Sequence, residues 1–302
     1  MQSENPLLVI IGPTASGKSD LAVDLALRYR GEVVSADSRQ VYRNLDSTTG
    51  KITGQDMRGV PHHLLDIVDP GVMHSAHDFV DRATACIQDI RSRNYLPIVA
   101  GGTGFYIEAL LFHGTMSNVP RNESFRKDAE KRDLQSLQTE LKQRDQHAYE
   151  RTDVQNPRRL IRTLEVIRAL GVFPMQQRHP RYQYHMVGIE HGMTHLRERI
   201  QRRLDDRFSA MVQEIQKHLD DGVDPTWLDN LGLECRHVVR MFTEHVDEQT
   251  TRENLFRAIV AYAKRQRTWW KRYPETVWYR ENERKQLYHD LDDFFAGGST
   301  RT

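Results

Sequence analysis

The stretch Leu7 to Ser19, LLVIIGPTASGKS, runs from five apolar residues into a glycine-framed loop that ends in a lysine and a hydroxyl. Gly12, Pro13, Thr14, Ala15, Ser16, Gly17, Lys18 and Ser19 satisfy the pattern G-x-x-x-x-G-K-[ST] in full. The flanking residues read as a strand before it and a helix, Lys18 to Tyr29, after it. That is the context in which such a loop holds phosphate. Glycines let successive backbone N–H groups face one anion, and the helix N-terminus adds positive potential. Lys18 supplies a point charge, and Ser19 offers an oxygen to Mg²⁺.

Working outward, Glu32 to Ser35 reads as a second strand ending in "ADSRQ", and "LPIVAGG" as another after a helix near Ala76 to Arg93. Short apolar runs alternating with helices imply a parallel sheet with crossover helices. The expected fold is therefore α/β, a P-loop NTPase-like parallel sheet with flanking helices. Beyond Phe112 the texture turns charged and helical. Glu123 to Arg144 reads as one helix and Asn156 to Gly171 as another, with Asn156 as N-cap, Pro157 at the first position and Gly171 as the stop. His185 to Glu190 reads as a strand returning to the sheet. The expected organisation is a core of residues 1–114 and 185–302 around a helical insertion, 115–184. Ile200, Leu204, Phe208, Met211, Ile215 and Leu219 form the apolar stripe of a later helix, and a last long helix is expected over Glu248 to Lys271. The acidic end, Asp290 to Thr302, reads as a frayed tail.

The 302 residues carry a formal net charge of only +1, so global charge identifies no partner. Between Ser117 and His185, however, 14 Lys and Arg face 9 Asp and Glu, which makes the insertion basic. Cys86 and Cys235 stand far apart without metal-ligand spacing and read as reduced thiols. The longest apolar run is too short to span a membrane, and no export signal precedes it. A cytoplasmic monomer is expected.

A P-loop NTPase usually places an acid at the end of a second buried strand, to hold Mg²⁺ and position water. "LPIVAGGTGFY" ends instead in Gly101, Gly102 and Thr103. The best-placed acid is Asp37, at the end of the second strand and so beside the loop. It is open between metal ligand, general base and helix cap. Thr103 is open between ligand contact and N-cap. Arg199, Arg203 and Arg207, spaced by four, form either a solvated basic face or a reach toward an anion. Arg203 is the choice for the second role, because Leu204 anchors its turn. Arg158, Arg159 and Arg162 are open between a solvated face and contacts to a polynucleotide. Trp269 and Trp270 are open between base stacking and core packing.

Seven segments in order, "GPTASGKS", "SADSRQVYR", "GVPHHLLDIVDP", "LPIVAGGTGFYIEALL", "NPRRLIRTLEVIRALG", "RERIQRRL" and "AKRQRTWWKR", together resemble the tRNA dimethylallyltransferase family, in its compact bacterial form. The resemblance implies a loop, Gly12 to Ser19, that grips the diphosphate of dimethylallyl diphosphate, with Ser19 helping to hold Mg²⁺. It implies that Asp37 is the general base for N6 of an adenosine 3′ to the anticodon, position 37 of tRNAs reading codons that begin with U. Thr103 and Arg203 match positions supporting the diphosphate. Asp37, Ser38, Arg39, Gln40 and Thr103, with Arg158, Arg159, Leu160, Ile161 and Arg162, match segments that contact the anticodon stem-loop. Alkyl transfer needs no hydrolytic water, which agrees with the missing acid after "LPIVA". Thr48 and Gly50 stand where the family pattern has Gly and Ala, and Cys235 where an aromatic residue is usual. A P-loop kinase using ATP, a prenyltransferase acting on free AMP or ADP, and an RNA-binding module with a vestigial loop are the competing readings.

Overall fold

The computed structural model describes residues 6–113, 116–174 and 179–296. Strand β1 (Leu7–Ile11) is buried throughout and leads through the phosphate loop into α1 (Lys18–Tyr29). Then follow β2 (Gly31–Ser35), the short α2 (Asp46–Thr49), β3 (His62–His63), α3 (Ala76–Ser92), β4 (Leu96–Ala100) and α4 (Gly104–Leu111). Helix α3 starts on a capping box, in which Ser75 Oγ accepts from Asp78 N and Asp78 accepts from Ser75 N. Gly31 packs so closely on Leu96 O that a Cβ there would lie 2.8 Å from it.

The residues Phe112–Pro180 form a separate compact unit. It contains β5 (Phe112–His113), α5 (Glu123–Ala129), α6 (Leu134–Arg144), α7 (Gln146–Arg151), α8 (Pro157–Leu170) and β6 (His179–Pro180). Antiparallel pairing of β5 with β6 closes its neck, which sets this unit a few residues earlier at each end than the expected 115–184. Phe125, Leu137, Leu141, Leu160, Ile161, Leu164 and Ile167 make its core. The single helix expected over Glu123 to Arg144 is two. Asp133 accepts from Ser136 N at 2.8 Å and starts a new helix there. Helix α8 follows its sequence signals: Asn156 Oδ1 accepts from Arg158 N and Arg159 N, Pro157 opens the helix, and Gly171 ends it at φ +80°.

The chain re-enters the first unit with β7 (Tyr184–Glu190) and α9 (Met193–Asp220), followed by α10 (Pro225–Leu231), α11 (Leu233–Thr243), α12 (Glu248–Trp270), β8 (Val277–Arg280) and α13 (Arg284–Phe295). The six-stranded sheet has the order β3-β2-β4-β1-β7-β8, and every pair is parallel. All strands therefore point their carboxyl ends to one edge, where the phosphate loop at the end of β1 lies between the ends of β4 and β7, with β2 next beyond β4. One face of the sheet carries α1 and α13 over Leu8, Ile10, Ile98 and Val187. A second core joins α9, α10, α11 and α12 through Ile200, Leu204, Phe208, Leu228, Val238 and Ile259.

The frayed tail expected from Asp290 needs correction up to Ala296. Leu287 and Leu291 are fully buried, and Asp292 accepts from Tyr29 Oη at 2.7 Å and pairs with Arg28. The two leucines lie one helical turn apart, and Phe295 adds a ring 4.8 Å from that of Tyr29 on α1. Residues 297–302 of that segment lie outside the described residues.

Candidate active site

The phosphate loop owes its path to backbone that side chains disfavour. Gly12 has φ +151°, Ala15 +60° and Gly17 +86°. A Cβ on Gly12 would lie 2.6 Å from Ile189 O, so the loop is pressed against the end of β7. Lys18 Nζ donates to Pro13 O at 2.7 Å. Burial pushes the Lys18 ammonium down to about 7, the positive charge of Arg203 pushes the same way, and Asp37 opposes both. Ser19 is exposed at the start of α1, and its hydroxyl has no hydrogen-bond partner among the described residues. Ser16 Oγ is buried and also lacks one.

Asp37 and Thr103 come from the ends of neighbouring strands β2 and β4, and the structure brings them together. Gly101 makes this possible, since a Cβ there would overlap the backbone of Ala36. Thr103 Oγ1 accepts from Ser38 N at 3.0 Å, and Thr103 N donates to Ala36 O at 3.2 Å. Asp37 Oδ1 accepts from Arg39 N at 2.8 Å, a local turn that fixes its direction. Its other oxygen faces Gly102. Neither side chain caps a helix: Asp37 closes a turn, since the next helix begins only at Asp46, and the Thr103 hydroxyl is taken up by Ser38 N rather than by α4.

Gln40 has less freedom than its place in the motif suggests. Its amide donates to Gly50 O at 3.2 Å and accepts from Ser35 Oγ. Arg39 lies against Gly232, at the junction of α10 and α11.

The three arginines on α9 do not form a solvated face. Arg199 Nε donates to Ala15 O at 2.7 Å, Arg203 Nη2 to Gly50 O at 3.0 Å and Arg207 Nε to Ser47 O at 2.8 Å. They tie α9 to the phosphate loop and to α2. Burial lowers Arg203 below its ordinary value, and lowers Arg207 to about 10. Burial also raises the Glu234 carboxyl, against the pull of both guanidinium groups. These side chains border a cavity of about 40 Å³ whose apolar wall is Ile200, Leu204, Met211 and Ile259.

The departures at Thr48, Gly50 and Cys235 have local explanations. Glu214 accepts from Ser47 N, Thr48 N and Thr48 Oγ1 at 2.6–2.8 Å, so the buried Thr48 hydroxyl is satisfied. Gly50 ends α2 at φ +63°, and a Cβ there would overlap Arg203 Nη2 and approach Arg207 Nη1 to 2.6 Å. Cys235 is buried in the second core, which pushes its thiol up.

Sequence reading missed Gln266. Its buried side chain accepts from Thr14 N at 2.8 Å and donates to Gly102 O at 2.9 Å, bridging the phosphate loop to the turn after β4. The signal was present. Leu255, Ile259, Ala263 and Trp270 set a buried stripe on α12, and Gln266 is a polar residue in its register. Trp270 is fully buried, which decides for core packing. Trp269 lies against Gly104, with Arg272 stacked 3.7 Å over its ring.

In the second unit Arg158 and Arg159 are exposed, with Arg159 near Asp153. Leu160 and Ile161 turn their side chains into that unit's core, so of the segment it is Arg158 and Arg159 that present side chains outward. Arg162 is a structural tie, donating to Val119 O at 2.8 Å and pairing with Glu165 at 2.5 Å. Burial alone raises the Glu165 carboxyl, but Arg126, the N–H of Asn122 and Arg162 outweigh it and hold it at about 2.

The pattern of the IPP transferase family matches residues 40–273, a span that begins just after the phosphate loop and Asp37. A tRNA dimethylallyltransferase of Caldanaerobacter subterraneus is 34% identical over 96% of this chain and 98% of its own length. The tRNA dimethylallyltransferase 2 of Shewanella sediminis is 37% identical over 88% and 89%. Among solved structures, the tRNA isopentenylpyrophosphate transferase of Bacillus halodurans is 33% identical, with a TM-score of 0.73 over 97% of this chain and 96% of that one. A eukaryotic dimethylallyltransferase acting on tRNA shares the fold at a TM-score of 0.86 and 23% identity. The chain belongs to the IPP transferase family.

Proposed function

We propose that the chain transfers a dimethylallyl group from dimethylallyl diphosphate to N6 of the adenosine 3′ to the anticodon, position 37 of tRNAs reading codons that begin with U, and releases diphosphate. The observation that carries the reading is the place of Asp37. Its carboxylate faces Gly102 at the carboxyl edge of the sheet, within the field of Lys18 and Arg203.

In this reading the loop N–H groups and Lys18 hold the diphosphate, and Arg203 adds positive charge where negative charge grows on the leaving group. Asp37 accepts the proton from the exocyclic amine as the new C–N bond forms. The allylic C–O bond breaks, and diphosphate departs with its electron pair. Thr103 holds Ser38 and the turn around Asp37, and Gln266 sets the spacing between that turn and the phosphate loop. Arg158 and Arg159 supply phosphate contacts to the anticodon stem-loop. A single-stranded loop base can leave its stack at modest cost, which suits an acceptor that must reach a recessed carboxylate.

Mg²⁺ fits as a cofactor on the donor set. Ser19 offers a hard, exposed oxygen without a protein partner among the described residues, beside the phosphate-binding loop. When bound, the ion neutralises charge on the leaving diphosphate.

Incubation with Mg²⁺, labelled dimethylallyl diphosphate and unmodified tRNA tests the reading. Label is expected in an adenosine of the anticodon loop, with no requirement for ATP. Label transfer to free AMP in place of tRNA, or ATP-driven phosphorylation of a small acceptor without prenyl transfer, overturns it.

A further inference from the structure

His191 and Glu281 are the first residues beyond β7 and β8. The parallel register pairs Glu190 with Arg280, so the next residue of each strand emerges at the same sheet edge. The His191 ring is buried, and its Nε2 lies 2.8 Å from Ser16 O of the phosphate loop. A carbonyl only accepts, so Nε2 carries the proton, and on a neutral ring Nδ1 presents its lone pair. That lone pair faces an acceptor, because Nδ1 is 3.6 Å from Glu281 Oε2. His195 Nε2, from the first turn of α9, lies 3.2 Å from the same oxygen. Two ring nitrogens and one carboxylate oxygen therefore converge with all three atoms within 4.8 Å of one another.

We propose that His191 Nδ1, His195 Nε2 and the Glu281 carboxylate form a binding site for a divalent ion of the Zn²⁺ class, separate from the diphosphate loop. Two imidazoles and one carboxylate are the donor set that such ions take with positions left open to solvent. The hydrogen bond from His191 Nε2 to Ser16 O is the outer contact that fixes a ligating imidazole in the right tautomer. Arg199 Nη1 occupies the other Glu281 oxygen at 3.3 Å, which turns Oε2 toward the two rings. An ion there joins the ends of β7 and β8 to the start of α9. Through His191 it also holds Ser16 O on the outer side of the loop.

The test uses the full chain, stripped with chelator and titrated with Zn²⁺ or Co²⁺ in excess Mg²⁺. One Zn²⁺ per chain is expected, with visible ligand-field bands for Co²⁺. His195 and Glu281 are 51% and 57% exposed, so His195→Ala and Glu281→Gln leave the core intact. Each variant is expected to weaken binding by at least about tenfold while circular dichroism stays unchanged. No stoichiometric binding to the parent chain overturns the proposal. Binding that persists equally in both variants overturns it too, because the ion then sits elsewhere. Displacement by Mg²⁺ alone counts against a site built on nitrogen donors.

Discussion

Gln266 accepts a hydrogen bond from Thr14 N at 2.8 Å across 252 residues of chain. Through its second contact, to Gly102 O, α12 sets the distance between the phosphate loop and the turn that faces Asp37. Gln266→Ala leaves a backbone N–H and a carbonyl in a half-buried setting without this partner, a loss of about 1 kcal/mol for each. Thermal unfolding is expected to fall accordingly, and KM for dimethylallyl diphosphate to rise while tRNA affinity holds. Unchanged donor kinetics would show that the bridge serves folding alone.

Asp37→Asn isolates the proton transfer from the shape of its turn. The Asn side chain keeps an oxygen for Arg39 N, so the turn geometry survives. Loss of the base is expected to lower kcat by about 10²–10⁴-fold with tRNA binding largely retained, read by single-turnover label transfer beside filter binding. Equal losses in binding and turnover would make Asp37 a recognition residue.

Gly50 is the point where this chain's loop and its arginines constrain each other. Its φ of +63° disfavours a side chain, and a Cβ would overlap Arg203 Nη2. Gly50→Ala is expected to cost about 1–2 kcal/mol of stability from the left-handed backbone. Displacing the Arg203 guanidinium is expected to weaken donor affinity as well. Chemical denaturation and pyrophosphate titration measure the two effects separately. A variant equal to the parent in both would mean that Arg203 is placed by other contacts.

Binding of RNA should separate Arg158 and Arg159 from Arg162. Arg158 and Arg159 are exposed, with Arg159 beside Asp153, whereas Arg162 is half-buried against Val119 O and Glu165. Arg158→Ala with Arg159→Ala is expected to weaken tRNA binding, with no change for free diphosphate. The salt slope of tRNA binding is expected to become shallower by about 0.7–0.9 for each phosphate no longer neutralised. Arg162→Ala is expected to lower thermal stability first. An unaltered salt slope in the double variant would remove that surface from the RNA interface.

The parts legible in the sequence were those with one dominant local signal. Strand β1 and its loop, the glycine pair after β4, and both ends of α8 each carry residues whose backbone preferences leave few alternatives. Helices α10 and α11 are short and lack a long apolar period. Strand β8 is a half-exposed edge, and α13 buries only Leu287 and Leu291 fully within an acidic run. The break between α5 and α6 hung on one cap, Asp133, in a sequence charged on both sides. At the site, spacing placed Arg203 on the correct helix, but its partner Gly50 O lies 153 residues away, and no local pattern encodes that contact.

Lys18 gives the site a pH dependence whose sign follows from its surroundings. Burial first, and Arg203 second, bring its pKa from 10.5 to about 7 in the protein without donor. The ammonium therefore discharges as pH rises through about 7, whereas a diphosphate on the loop favours the charged form. Binding above that pH must take up a proton, so affinity falls by up to about tenfold per pH unit until the pKa of the bound state is reached. Calorimetric titration of a non-reactive thio-analogue of the donor at about pH 8, in two buffers of different ionisation enthalpy, is expected to report uptake approaching one proton. Lys18→Arg keeps its charge throughout this range, and the uptake is expected to vanish in that variant. Proton uptake that persists in Lys18→Arg would assign the linkage to another group.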